Sequence, residues 1–137
     1  MAIASLNHAS IGKATQCKQY TAAQHIVYIC RSSECSDIAA GNIPIVIKGS
    51  HQTDPINAFR WLRMEEDADR KNARMIDKIR IALPRELTDE QNKQLVVDFI
   101  RELTKDRVPW LVSFHLEEEQ RDAPDYNPHC HIVIRDR

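Results

Sequence analysis

The chain predicts an α+β fold, an antiparallel β-sheet with helices packed on one face. Three observations predict it. Stretches with strand alternation and stretches with helical spacing succeed one another in the order β, α, possible β, α, β, α, β, β. The last two strand-like runs, "PWLVSFHLEEE" and "HCHIVIRDR", are joined only by the polar segment "QRDAPDYNP", as in a hairpin. The 137 residues suffice for one core of moderate size and not for two, so residues 1–137 form one expected domain.

Element by element, "MAIASL" alternates weakly and predicts a first strand, and the polar "NHASIGKATQCKQ" predicts a loop. Thr21 stands as N-cap of a helix over "AAQHIVYICR", with Ala22, Ile26 and Ile29 or Cys30 on one face and Tyr28 off its centre. "SSECSDIAAGNIP" collects Ser, Asp, Gly and Pro and predicts a loop, followed by a short strand in "IPIVIKG". "TDPINAFRWLRMEEDADRKNARM" opens with a helix-start signal, spaces Ile56, Phe59 and Met64 helically, and predicts a helix broken near Asp69. "KIRIALP" alternates, with Ile79, Ile81 and Leu83 on one face and Lys78 and Arg80 on the other. Thr88 and Gln91 form a capping box for the next helix, whose stripe is Leu95, Val96, Phe99 and Leu103.

Composition narrows the function classes. Hydrophobic residues are 42% and charged residues 28%, ordinary for a folded globular chain, which argues against disorder. The longest apolar runs, "NIPIVI" and "PWLVSF", fall far short of the roughly 20 residues a membrane helix needs, so no membrane segment is expected. The N-terminus has neither the basic region nor the apolar core of a secretory signal, which points to a cytoplasmic location. The four cysteines, Cys17, Cys30, Cys35 and Cys130, contain no CxxC pair and are expected as reduced thiols; zinc binding by Cys30 and Cys35 has only a weak spacing signal. The net charge of −1 does not advertise a nucleic-acid partner, so local clustering has to carry that argument.

The clustering is in "NPHCHIVIR". Alternation sends Cys130, Ile132 and Ile134 to the core and projects His129 and His131 together from the other face. On the preceding strand Val112, Phe114 and Leu116 point inward, which leaves His115 on the opposite side. An antiparallel pairing of the two strands would bring three imidazoles onto one open surface. A lone histidine there would simply be a polar surface residue, but three of matched parity suit Mn²⁺, Zn²⁺, Ni²⁺ or Co²⁺ with positions left for a substrate oxygen. Lys78, Arg80 and Arg135 are expected to present cations toward the same surface, Arg135 sharing the parity of the two histidines. Taken alone these cations read as a solvated face; beside a metal they suggest a phosphate substrate. Cleavage of a phosphodiester then needs water or a side chain as nucleophile, and the tyrosines are Tyr20, Tyr28 and Tyr126.

The histidine pair inside "NPHCHIVIRDR", with His115 upstream in "SFH", resembles the HUH endonuclease signature of plasmid relaxases, specifically the MobA/MobL mobilization family. "TAAQHIVYICR" resembles that family's nucleophile helix, and "RKNARMIDKIRIALPRELTDEQNKQLVVDFIRELT" resembles the stretch leading to its metal site. The likeness extends over most of the chain and is weakest from Ser32 to Thr53; "NPHCH" together with "NAR" and "ALPREL" is its most specific part. It implies an HUH relaxase-like fold and a metal-dependent enzyme that nicks and rejoins one strand at a plasmid origin of transfer for conjugative mobilization. Tyr28 would be the nucleophile, forming a 5′-phosphotyrosine, and His115, His129 and His131 the metal ligands. The ion would be Mn²⁺ or Mg²⁺, with Zn²⁺, Ni²⁺ or Co²⁺ as alternatives. From the residues themselves, rather than from the resemblance, Arg31, Lys78, Arg80 and Arg135 are expected to contact DNA phosphates. The partners would be single-stranded or melted plasmid DNA and accessory mobilization proteins.

This chain departs from the family in two ways. Relatives carry acidic residues in the strand before "ALP", where Lys78 and Arg80 stand here, so the group that orients a histidine is expected elsewhere, with Asp77, Glu66 and Asp69 poorly placed by parity or distance. Relaxase domains of this type also continue past the second histidine strand, so a truncated domain is expected. The alternatives are a non-catalytic relaxase-like module that binds DNA or a partner, a replication-initiator type HUH nuclease, a metal-dependent hydrolase that uses water, and Tyr20 in place of Tyr28.

Overall fold

Five strands, β1 (Ser5–Gly12), β2 (Asp37–Gly41), β3 (Arg74–Ala82), β4 (Trp110–His115) and β5 (His129–Ile134), pair antiparallel in the spatial order β1-β3-β5-β4-β2. The helices are α1 (Thr21–Ile29), α2 (Pro55–Ala68) and α3 (Asp89–Thr104). This computed structural model describes residues 5–13, 19–31, 35–69, 71, 73–116, 124 and 126–136. The start of "MAIASL", Cys17 and most of "EEEQRDAPD" lie outside the described residues.

The α+β class and the antiparallel sheet are as expected. The helices divide between the two faces. α1 and α2 contribute Ala22, Ile26, Ile29, Ala58, Trp61 and Leu62 to the core over the face that carries Leu111 and Val133. α3 contributes Val96 and Ile100 over the face that carries Val112, Cys130 and Ile132. This packing accompanies a β4 that is buried along its whole length and a β5 buried along most of its own. Central strands that are apolar on both sides need cover on both.

Differences from the sequence reading fall at the edges of the sheet. β1 runs into the segment expected as a loop. Its residues from Leu6 to Ser10 are exposed, so alternation does not mark it, and the hydrogen-bonded register with β3 makes the strand. β3 correspondingly begins at Arg74 rather than Lys78. The edge strand β2 lies in the expected loop, where its small residues meet β4: a Cβ at Gly41 would sit 2.5 Å from the indole nitrogen of Trp110. Residues 43–49, expected as a strand, form a loop organised by the buried Asn57. Its carboxamide oxygen accepts from the backbone N–H of Val46 at 2.8 Å and of Ile47 at 3.0 Å, and its nitrogen donates to the Pro44 carbonyl at 3.0 Å.

The helix signals hold better at their starts than along their stripes. Thr88 and Gln91 form the expected capping box on α3. Asp54 caps α2 through the Ile56 N–H, and Pro55 follows in the first turn. Ile56 and Met64, expected on the apolar face of α2, are exposed; Ala58, Trp61 and Leu62 point inward instead. Tyr20, not Thr21, occupies the N-cap of α1, in the left-handed region at φ 66°. No helix among the described residues is long and apolar enough to cross a membrane.

Candidate metal centre

The antiparallel hairpin partner expected for "HCHIVI" is β4, and the register sets His115 opposite His129 and Ser113 opposite His131. On the other flank of β5, Arg80 lies opposite His131. Residues opposite one another share a face, so the three imidazoles converge on the side covered by α1 and α2. Their ring centroids are 4.8, 4.8 and 5.2 Å apart. One nitrogen from each lies within 4.8 Å of the others, and among the described residues this is the group of metal-binding side chains that converges.

Hydrogen bonding selects the nitrogens. His115 is buried, and its Nε2 lies 3.0 Å from the carbonyl oxygen of Ile29, the last residue of α1. A carbonyl only accepts, so Nε2 carries the hydrogen and Nδ1 keeps a lone pair. At His129 the Nδ1–H donates to the Asn127 carbonyl at 2.8 Å, and Nε2 keeps the lone pair. His131 is driven to about 3, first by burial and then by the charges of His115, His129, Arg80 and His25. It is therefore neutral at pH 7. Three imidazoles, two of them held at one ring nitrogen by backbone carbonyls, fit a divalent transition ion.

The three carboxylates named from the sequence are engaged elsewhere. Asp77 faces the other side of the sheet and accepts from Ser10 at 2.8 Å, with His8 at 3.2 Å. Glu66 accepts from the Tyr20 N–H at 2.9 Å, and Asp69 binds Arg135. Among the described residues, main-chain carbonyls of Ile29 and Asn127 contact the two rings instead. Sequence reading had no signal for them. It also passed over Ser113, whose hydroxyl donates to the Ile29 carbonyl and lies 3.1 Å from His115 Nε2, although a lone serine at histidine parity in "WLVSFH" is a visible clue.

Beside His131 opens a cleft of about 280 Å³ lined by Asn7, His25, Tyr28, Lys78 and Arg80. Tyr28 is 57% exposed, so its hydroxyl is accessible. The Arg31 guanidinium sits 4.5 Å from its ring centroid, and His25 stacks one turn earlier at 6.4 Å. Burial, with Lys78 nearby, pushes His25 down to about 4, so this imidazole too is neutral. A larger cleft of about 500 Å³ lies on the α3 face among Leu6, Phe99 and Leu103, and it does not include the three histidines.

Tyr20 and Arg135 are placed elsewhere. The Tyr20 hydroxyl donates to Asp67 at 2.7 Å, which raises its pKa, and Arg63 covers its ring at 4.2 Å. Arg135, expected among the phosphate contacts, is 5% exposed at the opposite end of β5 from His129. It donates to Asp69 at 2.7 Å and to the Met75 carbonyl at 2.9 Å, with Glu65 at 3.5 Å. Parity was right for Arg135, but the acidic end of α2 claims its charge. The cysteine zinc reading is not supported either: burial pushes Cys30 up to about 12, and Cys35 donates to the Asp37 carbonyl.

The MobA/MobL family profile matches residues 38–137. "Mobilization protein A" of Escherichia coli is 36% identical over 70 residues, which are 50% of this chain and 9% of that protein. A "43 kDa relaxation protein" of Salmonella typhimurium is 29% identical over 125 residues, 85% of this chain and 32% of that protein. The chain thus spans less than a third of either relative. Among solved structures, one described as "Molecular Basis of Vancomycin Resistance Transfer in Staphylococcus aureus" superposes with a TM-score of 0.62 at 20% identity, covering 98% of this chain and 70% of that one. At that identity the likeness is one of fold.

Proposed function

The chain belongs to the MobA/MobL family, and from that premise we propose that it is the catalytic region of a relaxase that nicks and rejoins one DNA strand at a plasmid origin of transfer. The observation that carries the reading is the convergence of His115, His129 and His131 next to a cationic cleft that holds Tyr28.

In this reading the three imidazoles hold one divalent ion, Mn²⁺ or Mg²⁺ in the first place, through Nδ1 of His115 and Nε2 of His129. When bound, the ion supplies Lewis-acid polarisation of a phosphoryl oxygen. Lys78 and Arg80, half-buried in the floor of the cleft, attract the phosphates of a single strand or melted duplex and offset the charge that builds on the phosphorus. Arg31 steadies the Tyr28 ring from its face. The Tyr28 hydroxyl oxygen forms a bond to phosphorus as the bond to the 3′ oxygen breaks, and the leaving oxygen takes a proton to become a 3′-hydroxyl. The resulting 5′-phosphotyrosine conserves the phosphodiester, so the reverse attack reseals the strand. Tyr20 is the weaker nucleophile, because its hydroxyl is engaged by a carboxylate that opposes ionisation.

The test is incubation of the protein with Mn²⁺ and a labelled single-stranded origin oligonucleotide, followed by denaturing electrophoresis. A protein–DNA band present in the wild type and in Tyr20→Phe, and absent in Tyr28→Phe, is expected. Cleavage that survives Tyr28→Phe would identify a water-using hydrolase. Binding without cleavage in the wild type would identify a DNA-binding module that lacks turnover in this chain.

A further inference from the structure

We propose that Ser113 is a positioning residue that ties the histidine cluster to the helix carrying Tyr28; the inference rests on the metal reading above. Ser113 lies on β4 between Leu111 and His115, with no exposed surface. Its hydroxyl donates to the carbonyl of Ile29, the same oxygen that His115 Nε2–H reaches at 3.0 Å, and Oγ and Nε2 are 3.1 Å apart. The three atoms close a small triangle between sheet and helix.

Each side of the triangle does something different. Ile29 is the final residue of α1, and carbonyls in the last turn of a helix lack an intrahelical donor. The Ser113 hydroxyl and the His115 ring together supply donors to it. With that carbonyl and Oγ as the acceptors beside Nε2, the ring is held in one tautomer and one orientation, which leaves Nδ1 as the nitrogen for a metal. Ile29 is also the residue after Tyr28, so the position of the tyrosine backbone is fixed to the same point. Removing the hydroxyl leaves, among the described residues, the His115 ring as the remaining side-chain donor to that carbonyl. The ring then gains freedom to rotate, and the end of α1 gains freedom to shift against β4.

The experiment compares wild type, Ser113→Ala and Ser113→Thr in the full chain. Mn²⁺ affinity is measured by calorimetry, and the His115 tautomer by ¹⁵N NMR of the metal-free protein. Single-turnover formation of the covalent adduct is followed at saturating Mn²⁺. Loss of an outer hydrogen-bond partner typically weakens metal binding about 10–100-fold, and Ser113→Ala is expected at the lower end, about 10-fold. Its His115 is expected to populate both tautomers, and its adduct formation to stay slow even at saturating Mn²⁺. Ser113→Thr, which keeps the hydroxyl, is expected to restore the single tautomer. A Ser113→Ala protein with wild-type Mn²⁺ affinity and an unchanged tautomer would overturn the proposal and reduce Ser113 to a helix cap. Wild-type protein that binds no Mn²⁺ would refute the metal reading itself, and the coupling with it.

Discussion

Replacing Arg135 by alanine separates a structural cation from a DNA contact. The side chain is 5% exposed, and its guanidinium donates to Asp69 at 2.7 Å, to the Met75 carbonyl at 2.9 Å and to the Arg74 carbonyl at 3.4 Å. Truncation takes the Arg135 guanidinium from the Asp69 carboxylate, which is 17% exposed, and removes a donor from the Met75 carbonyl of β3. Breaking a buried pair from one side costs about 3–5 kcal/mol. Asp69 keeps some solvent and the Glu65 contact is long and partly exposed, so the low end applies, about 3 kcal/mol. In urea that corresponds to a midpoint lower by about 1–2 M. Asp69→Asn should be destabilising by itself, and the double variant less so than the two summed. Affinity of the folded Arg135→Ala protein for single-stranded DNA should be unchanged. An unaltered urea midpoint combined with weakened DNA binding would refute this reasoning and return Arg135 to the phosphate contacts.

The other predictions concern the cleft and the helices. Lys78→Ala and Arg80→Ala should each reduce the slope of log affinity against log salt for single-stranded DNA by about 0.7, with stability within about 0.5 kcal/mol of wild type. His25 is held near pKa 4 in the fold, below its ordinary 6.5, so the unfolded chain binds the extra proton between those values. Stability is expected to fall as pH drops from about 6.5 toward 4, by roughly 1 kcal/mol at about pH 5 after discounting for the ring's partial exposure, and His25→Gln should flatten that decline in urea titrations. Thr88→Ala should cost about 1 kcal/mol through loss of the capping box on α3 and leave Mn²⁺ affinity alone, as calorimetry and urea titration would report.

The parts of this chain that were legible in its sequence are those where one physical signal governs. β3, β4 and β5 lie in the sheet's interior, so alternation alone sorted their side chains and brought the three histidines to one face. The capping box of α3 was legible because it is local. β1 was obscured because an edge strand with exposed side chains has no apolar rhythm, and β2 because its run is short and small, with Gly41 set by its close approach to Trp110 of β4 rather than by strand propensity. The run "IPIVIKG" has the look of a strand, and only the distant Asn57 amide makes it a loop. The groups that contact His115 and His129 among the described residues are main-chain carbonyls, which every residue possesses, so no residue type could announce them. Arg135 was assigned correctly to a face and wrongly to a neighbourhood, because parity fixes the side of a strand but not the distance along it.

Strand order also has a consequence in time. β5 follows every other strand in sequence yet sits in the middle of the sheet, between β3 and β4. While the chain is being synthesised, the β1–β3 pair and the β2–β4 pair have, among the described residues, no strand to join them until residues 129–134 leave the ribosome. Such non-local pairing is slow and leaves apolar edges exposed in the interval. The same six residues carry two of the three histidines. Closure of the sheet and completion of the histidine cluster are thus one event, and a nascent chain stalled before it would possess Tyr28, His115 and the cationic cleft floor without His129 and His131.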